Sequence, residues 1–211
     1  MLNRKMREKG YTIPAKPTDY GPYHFRSKLE AQWAVFMDCL GVKYIYEPKV
    51  GEVEAGCRTY YYNPDFELPS LECYIEIKPR KPIEDELGKG AGLANLLGRV
   101  FFFYNFSPNT GAYLMQESNN MRYLSDDYYY WCECPRCSKI DILDFGQPRC
   151  GCYTASELVD MDAEFTTTEN KLPTIQFHKT KNILQAYNIA RKHKFDSTKK
   201  VQPLRREKLL Y

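Results

Sequence analysis

The sequence predicts an α/β protein carrying a small cysteine-rich appendage, and three observations predict it. Helical and strand-like periodicities follow one another along the first half in the order helix, strands, helix, strand. The clearest strand, "ECYIEIKPR", alternates Cys73, Ile75 and Ile77 with Tyr74, Glu76 and Lys78, the period of a strand with one face in a core. Beyond about Tyr128 the chain changes into short β-prone pieces between cysteine pairs.

The bounds agree with this. At 211 residues and 24.8 kDa the chain can form one sizeable core or two small domains. It is 43% hydrophobic and 27% charged, and no apolar run is long enough to cross a bilayer. The start, "MLNRKMREKGYTIPAKP", has no apolar stretch of the secretory kind, so a reducing cytoplasm is expected. Charge is unevenly spread. Residues 1–16 carry a net +4 and residues 171–211 a net +9, leaving −10 for residues 17–170 against an overall +3. An acidic body with basic ends suits a protein that holds cations in its body and a polyanion with its ends. Simply solvated tails are the alternative.

Taken in order, residues 1–22 read as a flexible basic lead, with prolines at 14, 17 and 22. A helix is expected in "RSKLEAQWAVFMDCLG". Leu29, Trp33, Phe36, Met37 and Leu40 recur at helical spacing there, and Gly41 stops it. "VKYIYEPKV" is strand-like, and "CRTYYYNPDFELPS" and "ECYIEIKPR" give two more strands with Pro69 and Ser70 in the turn. "PIEDELGKGAGLANLLG" reads as a helix weakened by glycines, with Pro82 near its first turn. "RVFFFYNF" is continuously apolar, as in a sheet interior, and "GAYLMQ" can pair beside it. In "KTKNILQAYNIARKHKF", Ile183, Leu184, Tyr187 and Ala190 form a narrow apolar stripe edged with Lys and Arg. The expected divisions are a lead (1–22), a core (23–127), a ribbon (128–155) and a C-terminal segment with a basic helix and tail (156–211).

The polar face of "YIEIK" holds Glu76 and Lys78, and Asp65 reaches the same face from the neighbouring strand. Carboxylates this close repel unless a cation lies between them, and oxygen ligands with open water positions suit Mg²⁺. A lysine beside them can stabilise a phosphate's developing charge or orient water. A solvated Glu–Lys face is the plainer alternative. Against it stand Pro64, which fixes the approach of Asp65, and Pro79, which ends the ladder directly after Lys78. The charges thus sit at a strand terminus.

These residues carry a resemblance. "PDFELPSLECYIEIK" resembles the PD…(D/E)xK pattern of the PD-(D/E)xK nuclease superfamily, as Pro64-Asp65 and Glu76-Ile77-Lys78. "FRSKLEAQWAVFMDCLGVKYIYEP" and "AYNIARKHKFD" look like segments of phage-encoded members, which are similar to transposon-end-cleaving nucleases and archaeal Holliday-junction resolvases. The likeness spans roughly residues 23–106. It implies a restriction-endonuclease-like core, a mixed central sheet flanked by helices. It also implies that Glu30 joins Asp65 and Glu76 in holding Mg²⁺ or Mn²⁺, with Lys78 as the fourth catalytic residue. Glu30 has a second explanation in the capping box Ser27-Lys28-Leu29-Glu30. However, it shares a helix face with Trp33, Ala34 and Met37, and an inward carboxylate needs a partner. Glu84 and Lys89 are lesser candidates for capping and phosphate contact, and His24 for substrate contact. Solvated surface is the plainer reading of all three.

"CPRC" at Cys134–Cys137 and "CGC" at Cys150–Cys152 are two chelating arms twelve residues apart, the spacing of a zinc ribbon with a Cys₄ site. Cys132 is an alternative ligand to Cys134. Cys39, Cys57 and Cys73 read as ordinary core or surface residues. Tyr128–Trp131 can offer stacking platforms for bases, or can pack the ribbon onto the body. The expected function is a Mg²⁺- or Mn²⁺-dependent DNA nuclease. Lys179, Lys181, Arg191, Lys192 and Lys194 would grip the DNA backbone. The rivals are a non-catalytic nucleic-acid-binding module, the cleaving subunit of a recombination or transposition complex, and RNA as the substrate, which no RNA-reading motif supports. A homo-oligomer or recombination partner proteins, and a host cytoplasm if the chain is phage-encoded, complete the expectations.

Overall fold

A computed structural model describes residues 15–55, 58–80, 82–104, 106–107, 111–118, 121–124, 128–144, 149–153 and 177–195. Its first element is a hairpin. Strand β1 (Thr18–Tyr20) pairs antiparallel with β2 (Tyr23–Phe25) across Gly21 and Pro22, and Gly21 has φ 55°. A two-residue turn that opens on a glycine at positive φ matches strand twist. The expected flexible lead therefore stops short of residue 18.

Helix α1 (Lys28–Cys39) starts at Ser27, whose hydroxyl accepts the Glu30 backbone N–H at 3.2 Å. It stops at Leu40 and Gly41, the latter at φ 68°. Every residue from Ala31 to Met37 except Gln32 is buried. So wide a buried surface means that the helix is covered on more than one side.

The central sheet has six strands in the order β10-β9-β8-β7-β6-β3. These are β3 (Ile45–Tyr46), β6 (Phe66–Leu68), β7 (Cys73–Lys78), β8 (Val100–Tyr104), β9 (Tyr113–Ser118) and β10 (Met121–Leu124). Only β7 and β8 run parallel, joined by the crossover helix α2 (Glu84–Leu97), so the sheet is mixed. The phenylalanines of β8 split by alternation. Phe101 and Phe103 enter the main core with α1, whereas Val100 and Phe102 join Ala91, Leu93 and Met115 on the α2 side. Gly90 explains one of the glycines in α2: a Cβ there would lie 2.5 Å from the Phe102 ring. Glycine lets helix and strand approach this closely.

One expected strand divides. β5 (Arg58–Tyr61) turns away to pair with β4 (Glu52–Ala55) in a separate hairpin, and β6 begins only at Phe66. The break falls at Tyr62–Asp65, where Pro64 has no N–H to give a ladder.

The cysteine segment is less of an appendage than expected. Strands β11 (Tyr129–Glu133) and β12 (Ile140–Asp144) form an antiparallel hairpin, and Trp131 and Ile142 belong to the main core. Trp131 lies with its ring centroid 5.3 Å from that of Phe36, 6.0 Å from Phe103 and 6.4 Å from Trp33. Helix α3 (Lys181–Lys192) closes the same core, with Tyr187 4.4 Å from Phe36. Its buried residues are Ile183, Ala186, Tyr187 and Ala190. Leu184, expected in the stripe, is 37% exposed, because the turn places Ala186 inward instead. The core thus runs across the expected boundaries of body, ribbon and C-terminal segment.

Candidate carboxylate site and cysteine centre

The register Phe66↔Ile75, continued one step, sets Asp65 beside Glu76. Both are buried, Asp65 at 2% exposure and Glu76 at 1%. Asp65 Oδ2 accepts the Ile77 backbone N–H at 2.7 Å, and Oδ1 accepts Arg26 Nη2 at 2.6 Å. Glu76 is treated differently. Lys78 Nζ lies 2.9 Å from Oε2 as an ion pair, the nearest charge that balances this carboxylate. The Tyr62 hydroxyl is buried beside Glu76.

The electrostatics follow. Burial, then the Glu76 charge, pushes the Asp65 carboxyl well above the usual carboxylate range, against Lys78 and the Ile77 N–H. Burial also raises the Glu76 carboxyl, with Lys78 opposing. Burial would lower the Lys78 ammonium, but Glu76 and Asp65 overcome it and raise it. Burial pushes the Tyr62 hydroxyl well up, and the charge of Glu76 adds to it.

Glu30 stands on α1, buried, with both oxygens engaged. Oε1 accepts the Ser27 hydroxyl and Oε2 the Tyr46 hydroxyl, each at 2.7 Å. Its charge is felt at Asp65. Ser27 caps the helix as expected, but Glu30 returns its bond to the Ser27 side chain. Glu30, Asp65 and Glu76 are not gathered into one tight ligand group. The four thiols described below form the one group of three or more potential ligands within 4.8 Å among the described residues.

Sequence reasoning missed four residues here: Arg26, Tyr46, Glu47 and Tyr62. Arg26 bridges Asp65 and, through Nε at 2.6 Å, Glu47. Glu47 has φ 46°, a left-handed conformation that costs a non-glycine residue about 1–2 kcal/mol, and its N–H donates to the Asp65 carbonyl at 2.9 Å. The usable signal was the pairing of β3 with β6, which sets Tyr46 directly opposite Phe66 and brings Glu47 to Asp65. His24 is an exposed partner of Asp19. Lys89 lies 5.9 Å over the Tyr60 ring. The Glu84 side chain and Cys57 lie outside the described residues.

The thiols of Cys134, Cys137, Cys150 and Cys152 lie within 4.8 Å of one another and could bind a metal ion such as zinc. The first arm is a tight turn in which Ser138 N–H donates to the Cys134 carbonyl at 2.7 Å, and Ser138 has φ 59°. The second arm is anchored by Arg149, whose Nε and Nη2 each reach the buried Asp141 carboxylate at 2.8 Å. Burial would raise the Cys134 thiol, but the Cys137 and Arg136 N–H groups bring it down to about 7. Hydrogen bonds that the Cys152 thiol donates to Cys137 and Cys150 push it up to about 12, so these sulfurs compete for protons and a cation would resolve the competition. Cys132 stands apart: it is fully buried, with its sulfur 3.2 Å from the Tyr130 carbonyl. Cys73 is buried and Cys39 exposed.

Lys179, Lys181, Arg191, Lys192 and Lys194 are all exposed, and none is ion-paired among the described residues. Of the expected base platforms, Trp131 is consumed by the core, while Tyr128 remains 45% exposed. No helix among the described residues is long and apolar enough to cross a membrane. Compared with known proteins, the chain matches no family model, no curated protein and no solved structure at a significant level.

Proposed function

We propose that the protein is a divalent-metal-dependent nuclease that hydrolyses phosphodiester bonds of DNA. The observation that carries this reading is Glu76. A carboxylate at 1% exposure, balanced by one lysine and set next to a second buried carboxylate whose charge repels it, is costly to bury without a further cation. The donor set is all oxygen, the chemistry of Mg²⁺ or Mn²⁺ and not of a soft ion. Asp65 and Glu76 would hold the cation, and Glu30 would join them if Ser27 and Tyr46 released it. The bound cation would neutralise the phosphate and acidify its water. Lys78 keeps its proton at neutral pH, so it orients water and stabilises developing negative charge. The exposed lysines and arginine of α3 supply backbone affinity.

We propose that the four clustered thiols hold one structural zinc. Elemental analysis should give one zinc per chain, lost in Cys134→Ser and retained in Cys132→Ser.

The nuclease test is cleavage of plasmid and branched DNA with Mg²⁺ or Mn²⁺. Lys78→Ala and Glu76→Ala should each lower the rate by about 10²–10³-fold with folding and zinc content unchanged. A wild-type protein that binds DNA but never cuts it would instead favour a binding module. One observation leans that way: Glu30 and Asp65 already have protein partners for all four oxygens.

A further inference from the structure

Arg26 immediately precedes the helix cap Ser27, and three groups meet it. Nη2 donates to Asp65 at 2.6 Å and Nε is ion-paired with Glu47 at 2.6 Å, while its backbone N–H donates to the Tyr46 hydroxyl at 3.0 Å. The Arg26 side chain is 59% exposed although Asp65 beneath it is almost fully buried. A solvent-accessible cation therefore sits at the mouth of a buried carboxylate. The two oxygens of Asp65 are held unequally. Oδ2 is fixed by a strand backbone N–H that cannot turn away, whereas Oδ1 is held only by a long, exposed side chain with rotamer freedom to regain. Only Oδ1 can be surrendered cheaply.

Glu47 holds the other edge of the guanidinium. Its left-handed backbone persists because its N–H is tied to the Asp65 carbonyl, and strain of this kind gathers at functional sites. An arginine fork fits phosphate oxygens as well as carboxylate oxygens.

Resting on the nuclease reading above, we propose that Arg26 is the phosphate-binding residue of the site. It covers Asp65 in the metal-free protein, yields Oδ1 to a divalent cation, and stays tethered by Glu47 with its freed N–H groups turned to a DNA backbone phosphate. No bond is made or broken in this exchange, and neither charge is left unpaired, because cation and phosphate arrive together. Arg26 touches substrate. Glu47 is a positioning residue acting through it.

The test compares wild type, Arg26→Ala, Arg26→Lys and Glu47→Gln in the zinc-loaded protein. Mn²⁺ affinity is read without DNA by electron paramagnetic resonance, duplex affinity in Ca²⁺, and cleavage in Mn²⁺. Arg26→Ala should bind Mn²⁺ several-fold more tightly, its competitor for Oδ1 being gone. The same variant should bind duplex more weakly and cleave on the order of 10²-fold more slowly. Arg26→Lys keeps the charge without the fork and should recover only part of the cleavage. Glu47→Gln should fall between wild type and Arg26→Ala in cleavage. Unchanged or weaker Mn²⁺ binding in folded Arg26→Ala would make Arg26 a buttress of Asp65 and overturn the proposal. So would unchanged cleavage, and if Arg26→Ala does not fold, Arg26→Lys with full cleavage does the same. Wild type that binds no Mn²⁺ with or without duplex and never cuts would overturn the nuclease reading as well, whereas wild type that cuts confines any failure to Arg26.

Discussion

Asp141 and Glu133 in the cysteine hairpin are buried much as Asp65 and Glu76 at the strand ends are, but the two pairs differ in their electrostatics. Asp141 receives both arms of Arg149 and the Ile142 N–H at 2.9 Å, and these hold its carboxyl below the usual range against the cost of burial. Glu133 receives the Thr180 hydroxyl at 2.5 Å and the Asn182 amide at 2.6 Å, tying the hairpin to the start of α3. Asp141 is thus paired with a cation, and Glu133 is held by two neutral donors. At the strand ends the acids repel each other, and burial raises both carboxyls in spite of the Ile77 N–H and Lys78. The hairpin acids sit among donors, whereas the strand-end acids sit beside each other.

The hairpin side of this contrast breaks most severely at Trp131→Ala. Deleting a fully enclosed indole should cost about 3–5 kcal/mol in chemical denaturation and loosen α1 and α3 together. A loss under about 1 kcal/mol would mean that the hairpin folds independently of the core. Asp141→Ala should cost less, about 1–3 kcal/mol, since it leaves the Ile142 N–H unsatisfied and releases Arg149 to water. Slower zinc retention should accompany it, read by chelator competition.

Glu76→Gln should have the smallest effect on the metal-free protein, within about 1 kcal/mol of wild type, because repulsion from Asp65 is removed along with the Lys78 ion pair. The pH profile sharpens this point. Asp65 and Glu76 bind protons more tightly folded than unfolded, so metal-free stability should rise as pH falls from neutral through their raised range. It should then decline below about pH 4, where lowered groups such as Asp141 and Glu86 lose their charge. Thermal unfolding across pH checks both limbs, and Mg²⁺ should flatten the first. A flat metal-free profile above pH 4 would place the strand-end acids with the satisfied pair.

Much of this was legible in the chain. The helix from Lys28, the strands at Cys73 and Val100 and the Cys₄ spacing all rest on local signals: a serine cap, two-residue alternation, paired cysteines. What was not legible depends on partners distant in sequence. Tyr46 is sixteen residues from Glu30, and Arg26 is thirty-nine from Asp65. Their roles follow only from β3 pairing with β6. The same holds for Trp131: "YYYW" looks alike whether its rings face bases or Trp33. The hairpin of β4 and β5 was hidden because Tyr60 to Tyr62 reads as one continuous run with the strand that follows.

The closure of α1 by its distant neighbours has a consequence for synthesis on the ribosome. Trp33 and Phe36 emerge early, but Trp131 follows by about 100 residues and Tyr187 by about 150. At roughly 5–20 residues per second, the nascent chain would carry this aromatic face uncovered for about 8–30 s. A chain released early would keep its strand-end charges and lack the helix that seals the core beneath them. Emergence of α3 is thus itself a checkpoint, and a message stalled before it yields a sticky intermediate.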